Sequence, residues 1–172
     1  MVRASSILLA TFIFLRCGDP AAPPVQSGIV LTLRLSAPHA GPGEVLVAEA
    51  AAFNRMPASI LYSDGCGEED GIWFDVHGPD GRRVLLAPPG VGPACATRVA
   101  FLPPAGSLEA SLHFNGTLYR TDGEPYAAPA GRYVVVARFR WWANTEATNY
   151  IVQEERQTFV WDAATDTAPA SP

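Results

Sequence analysis

The chain has 172 residues, room for one domain with a substantial core and too few for two comfortable ones. Hydrophobic residues make up 48% and charged residues 17%, which excludes an intrinsically disordered chain. The net charge is −5 and no basic stretch is present to displace phosphate counterions, so nucleic-acid binding is excluded as well.

Met1-Val2-Arg3 supplies a short positive start, and Ile7 to Leu15 (ILLATFIFL) is an unbroken apolar run. That run is about half of what a helix needs to cross a bilayer, but it has the length of the hydrophobic segment of an export signal. Cys17-Gly18 and a Pro/Ala-rich stretch follow at once. Residues 1–17 therefore resemble a bacterial lipoprotein leader, with 18–27 as a flexible tether. The resemblance implies lipidation of Cys17 and a membrane-anchored protein of the periplasm or cell surface. Arg16 stands where such leaders carry a small residue, and the alternative is an ordinary secretory leader cut before Ser27.

From Gly28 onward the dominant period is two. Ile29, Leu31, Leu33 and Leu35 fall on one face of a half-buried strand. His39 to Glu44 reads as a turn, Val45 to Phe53 as a second strand, and Ser59 to Tyr62 as the start of a third. Ile72, Phe74 and Val76 alternate with Trp73, Asp75 and His77, and Gly78 to Gly81 (GPDG) is a hairpin turn into Arg82 to Ala87. Thr97 to Leu102 and Leu108 to Phe114 are further strands, divided by the turn Pro103 to Ser107. Thr121 to Gly131 (TDGEPYAAPAG) reads as a long surface loop. In RYVVVARFRW, Tyr133, Val135, Ala137, Phe139 and Trp141 share one face, while Arg132, Arg138 and Arg140 share the other with Val134 and Val136. Ile151 to Trp161 returns alongside, with Glu154 and Glu155 placed to offset the arginines. Residues 163–172 read as a disordered tail. Eight or nine short strands with frequent turns and no amphipathic helix predict an antiparallel β-sandwich over 28–162, with a barrel as the alternative.

The segments FLPPAGSLEASLHFNGT and DGEPYAAPAGRYVVVARF resemble the BsuPI-type proteinase-inhibitor domain. Pro129, Gly131 and Tyr133 match its P-x-G-x-Y turn, and IWFDVHGPDGRRV is similar to its hairpin around a DG turn, here Asp80-Gly81. The resemblance spans residues 28–141 and implies an immunoglobulin-like sandwich. It also implies proteinase inhibition, for which Thr121 to Gly131 is the candidate loop.

The run Ser63 to Gly71 (SDGCGEEDG) sets a thiol among four carboxylates. Asp64, Glu68, Glu69 and Asp70 supply the oxygen ligands calcium prefers, yet the spacing is not that of an EF-hand, and solvated loop charge is the plainer reading. Carboxylates raise a thiol pKa, which disfavours a nucleophilic Cys66. Export leaves Cys66 and Cys95 as a pair in a compartment where disulfides persist, at the same end of the intervening hairpin, and a disulfide is expected. His39, His77 and His113 lack metal-ligand spacing, and the Asn115-Gly116 turn accounts for the sequon at Asn115. No cofactor motif or His-paired nucleophile motif is present. Trp141 should point inward and Trp142 outward. Trp142, Arg140, Glu124 and Tyr126 are the candidate interaction residues. The sequence thus predicts a non-catalytic envelope module that binds a protein partner or serves a structural role. The alternatives are a proteinase inhibitor, with a protease as that partner, and a calcium-binding module.

Overall fold

The computed structural model describes residues 28–65, 69–90, 96–144 and 149–162. These residues form twelve strands and no helix. In chain order they are β1 (Ile29–Leu35), β2 (His39–Ala40), β3 (Leu46–Asn54), β4 (Ile60–Asp64), β5 (Ile72–His77), β6 (Arg83–Val84), β7 (Arg98–Leu102), β8 (Ser107–Phe114), β9 (Thr117–Tyr119), β10 (Pro125–Ala127), β11 (Gly131–Trp142) and β12 (Ile151–Trp161).

One sheet has the order β1-β3-β8, all antiparallel. The larger sheet is built on β11. Eleven of its twelve residues, Gly131 to Trp141, pair along one edge with β12, and the other edge pairs first with β5 and then, through Trp141 and Trp142, with β4. Beyond these lie β6 on β5 and β7 on β4. The alanine-rich segment of β3 is a strand because alternate positions (Leu46, Ala48, Ala50, Ala52) are buried, a period no helix reproduces. Three short elements, His39–Ala40, Thr117–Tyr119 and Pro125–Ala127, escaped the sequence reading. His39–Ala40 lies within the expected turn and pairs in parallel with Val160 and Trp161. Pro125–Ala127 lies within the expected long loop and pairs with β9 as a small hairpin.

The inward rows of both sheets meet in one core: Ile29, Leu31 and Leu33 of β1, the buried row of β3, and Tyr133, Val135, Ala137 and Phe139 of β11. Its densest part is aromatic. Phe114 lies 4.9–5.5 Å, centroid to centroid, from Trp161, Phe159 and Tyr133, and Tyr133 stacks on Phe159 at 5.3 Å. The Tyr133 hydroxyl donates to the Pro129 carbonyl at 2.8 Å, and burial pushes its pKa up to about 12. In the same P-x-G-x-Y turn, Gly131 has φ +145°, and a Cβ there would run into the Pro79 ring.

Two further sites pin the ends of the strands. Gly116 has φ +80°, and a Cβ on it would fall inside the Trp161 indole; the Asn115 side chain accepts the Thr117 N–H at 3.0 Å, closing an Asx turn. Asn54, fully buried at the end of β3, donates through Nδ2 to the carbonyls of Leu102, Ala58 and Pro103, and its Oδ1 accepts the Met56 N–H. It ties the first sheet to the β7–β8 turn, and its backbone does the same through Gly106 and Ala105.

Candidate functional site

The face of β11 that turns away from the core follows directly from register. Opposite Val136 stand Asp75 and Arg156; opposite Arg138, Trp73 and Glu154; opposite Arg140, Val152; opposite Trp142, Leu61 and then, one strand further, Phe101. Alternation in the sequence placed Arg138, Arg140 and Trp142 on this outer face, and they are there, with Trp141 buried behind them.

Ion pairs knit the middle of the face. Asp75, largely buried, takes Arg83 Nε at 2.7 Å and also pairs with Arg138. Arg138 reaches across β11 to Glu154 at 2.8 Å, and Glu154 in turn holds Arg156. Hydrogen bonds from Arg156 first, and then Arg138, hold the Glu154 carboxyl below its ordinary range. Glu155, expected to share this task, is in register with Ala137 and so belongs to the other face of the sheet.

Arg140 sits apart from that chain and carries the aromatic part of the site. Its guanidinium lies 5.2 Å from the Tyr150 ring centroid, 5.8 Å from Trp142 and 6.0 Å from Trp73, all within cation–π range. Trp142 and Tyr150 also meet edge to face at 6.5 Å. Arg140 Nη1 bonds Glu69 Oε2 at 2.8 Å and Nη2 donates to the Glu69 carbonyl at 3.3 Å, while Nε is buried with no hydrogen-bond partner among the described residues. A shallow cavity of about 290 Å³ opens here, lined by Trp73, Arg138, Arg140, Tyr150 and Val152 together with the acids. Its apolar rim is open to solvent, with Tyr150 55% exposed and Val152 43%.

Three acids of the run Ser63 to Gly71, namely Asp64, Glu69 and Asp70, have partners within the fold. Asp64 pairs with Arg98 at 2.7 Å because β4 and β7 put them directly opposite; Asp70 accepts hydrogen bonds from the Ser63 and Thr97 hydroxyls; Glu69 serves Arg140. Glu68, Cys66, Cys95 and Cys17 lie outside the described residues. Among the described residues no three His, Cys, Asp or Glu side chains gather to hold a metal.

Of the four candidate interaction residues, Arg140 and Trp142 come together. Glu124 and Tyr126 do not join them. They belong to the β9–β10 hairpin, where Arg120 stacks 5.8 Å from the Tyr126 ring and the Glu124 carbonyl accepts the Arg120 N–H. Trp73, Tyr150 and Glu69 were missing from the sequence-based set. The outward alternation of Trp73 was readable; its convergence with Tyr150, more than seventy residues away in the chain, needed the pairing of β5 and β12 on opposite edges of β11.

No family model and no curated protein matches the chain. It is similar in structure to a β-glucosidase from Erythrobacter marinus (TM-score 0.43, 11% identity, 78% of this chain and 15% of that one). It is also similar to the alkylpurine DNA glycosylase AlkC of Pseudomonas fluorescens (0.43, 12%, covering 79% and 31%). A third match is the sporulation control protein Spo0M of Bacillus subtilis (0.40, 13%, covering 79% and 50%). The chain thus spans at most half the length of these proteins.

Proposed function

We propose that this chain is a non-catalytic envelope module: an immunoglobulin-like β-sandwich, exported and lipid-anchored at Cys17, that binds a protein partner through the outer face of β4, β5, β11 and β12. The observation that carries the reading is the convergence of Trp73, Trp142 and Tyr150 on Arg140, beside the exposed side chains of Val152 and Phe101. Partly exposed aromatics around an arginine are the residue types that dominate the energy of protein interfaces. The immunoglobulin-like reading is supported by two sheets sharing one core and by the Tyr133–Pro129 hydrogen bond, which has the form of a tyrosine corner. Lipid anchoring rests on the leader-like residues 1–17 and the tether that follows.

Site-specific photocrosslinking in the producing cell tests the docking face. A crosslinking residue at position 142 should give a discrete protein adduct that one at Glu109, on the outer face of the other sheet, does not. Absence of an adduct from 142, or the same adducts from both positions, would refute the assignment. A second reading, proteinase inhibition of the BsuPI type, draws support from the β9–β10 hairpin. There Gly123 and Arg120 are joined by a backbone hydrogen bond and Ala128 is held to Gly116, so the segment Thr121 to Gly131 is a braced loop. Titration of serine proteases with the full chain decides it: undiminished activity at micromolar concentrations removes the inhibitor reading.

A further inference from the structure

We infer that the Arg140 site recognises an acidic peptide segment of the partner, and that Glu69 is the chain's own displaceable stand-in for it. This rests on the docking face proposed above and names the chemistry that face would read.

Arg140 already binds a glutamyl residue in two places: the side-chain carboxylate at 2.8 Å and the same residue's main-chain carbonyl at 3.3 Å. A peptide carrying Glu or Asp offers both groups in the same relation. The arrangement is asymmetric in exposure. The Arg140 side chain is 22% exposed and walled by three aromatic rings, whereas Glu69 lies on the solvent side at 61%. The arginine is therefore the fixed partner and the glutamate the one free to leave. On opening, water replaces much of what the exposed Glu69 carboxylate loses, while the enclosed guanidinium is left needing a new carboxylate. The aromatic walls and the arginine stay in place to receive a second carboxylate, with Tyr150 and Val152 offering apolar contact beside it.

Charge favours the same occupant. Arg83, Arg138 and Arg140 line the cavity with Glu69 and Asp75, one cation in excess. Displacing Glu69 leaves the charge of the face unchanged and frees the Arg140 guanidinium for a second carboxylate.

Because Glu69 competes from within the chain, it acts at an effective concentration on the order of millimolar, and its removal should tighten binding of any true ligand. The test is fluorescence anisotropy of a labelled Gly-Glu-Glu-Asp-Gly-Ile amide on the full chain, beside its Gly-Gln-Gln-Asn-Gly-Ile counterpart. Glu69→Ala should bind the acidic peptide about tenfold more tightly than wild type, with the gain eroded by salt. The amide counterpart should lose the gain, and Glu69→Ala/Arg140→Gln should abolish it. Since Glu69 is exposed, its substitution leaves the fold intact, and an unchanged urea midpoint verifies this. Equal binding of both peptides, or no gain in Glu69→Ala, overturns the inference. Gain for polygalacturonate but not for the peptide also overturns it, by assigning the fork to acidic sugars. The two readings fail separately: adducts from position 142 with no carboxylate dependence would leave the docking face standing and remove only the acidic ligand.

Discussion

Asn54 is the most heavily bonded buried side chain among the described residues, and its removal has a calculable cost. Its two amide protons serve three carbonyls, Leu102 at 2.9 Å, Ala58 at 3.0 Å and Pro103 at 3.1 Å, so one proton is shared; Oδ1 accepts Met56 N–H at 2.9 Å. Counting three effective bonds at about 0.5–1.5 kcal/mol each, Asn54→Ala should cost about 2–4 kcal/mol. For a domain of this size that lowers Tm by roughly 6–15 °C. Asn54→Asp is the sharper probe. It is nearly isosteric and keeps the acceptor for Met56, but it turns a carboxylate toward three carbonyl oxygens. At neutral pH it should therefore be at least as damaging as alanine, and it should recover in part on acidification, when a protonated acid can donate again. Urea unfolding followed by tryptophan fluorescence measures both, with m unchanged. If either variant lies within about 0.5 kcal/mol of wild type, the assumption that these bonds hold the β3 end to the β7–β8 turn is wrong.

Two other substitutions and one thiol-labelling experiment probe the rest of the fold. Gly116→Ala should destabilise by about 3 kcal/mol or more, because it adds a positive-φ penalty to a collision with Trp161; thermal melts should show it, and a shift below about 1 kcal/mol would mean the turn can relax. Tyr133→Phe should cost about 1–2 kcal/mol at neutral pH by leaving the Pro129 carbonyl without its donor. Its pH signature has a fixed sign. With the folded pKa raised to about 12 from 10.0, the stability contributed by the neutral hydroxyl is full below pH 10.0 and is lost as pH rises through about 12, so the variant should show a shallower alkaline decline. Finally, the register that sets Asp64 opposite Arg98 brings the chain leading to Cys66 beside the chain arriving from Cys95. A disulfide closing that loop of about 30 residues should contribute roughly 3–4 kcal/mol, and neither thiol should react with a maleimide in the denatured, unreduced protein.

Much of the strand order along the chain was legible because each strand has one buried face. Alternation alone located β1, β5, β8 and β11, told Trp141 from Trp142, and placed Arg138 and Arg140 on a common outer row. The turn chemistry of Gly78 to Gly81 and of Asn115-Gly116 was local as well, since positive φ and side-chain capping are properties of a few adjacent residues. Short pairings such as His39–Ala40 with Val160 and Trp161 were not, because two residues carry no period and their partner lies on a remote strand.

The composition of the site belongs to tertiary structure for the same reason. Nothing within the acidic run indicates that Glu69 meets Arg140, or that Asp64 meets Arg98, because each contact joins segments brought together only when β5, β4 and β7 assemble beside β11. The sequence by itself determined that Arg140 and Trp142 face outward, through the two-residue period of a strand. Only the pairing of strands distant in the chain decided that Trp73, Tyr150 and a glutamate would close around that arginine, because register between strands is set by long-range packing and leaves no local trace.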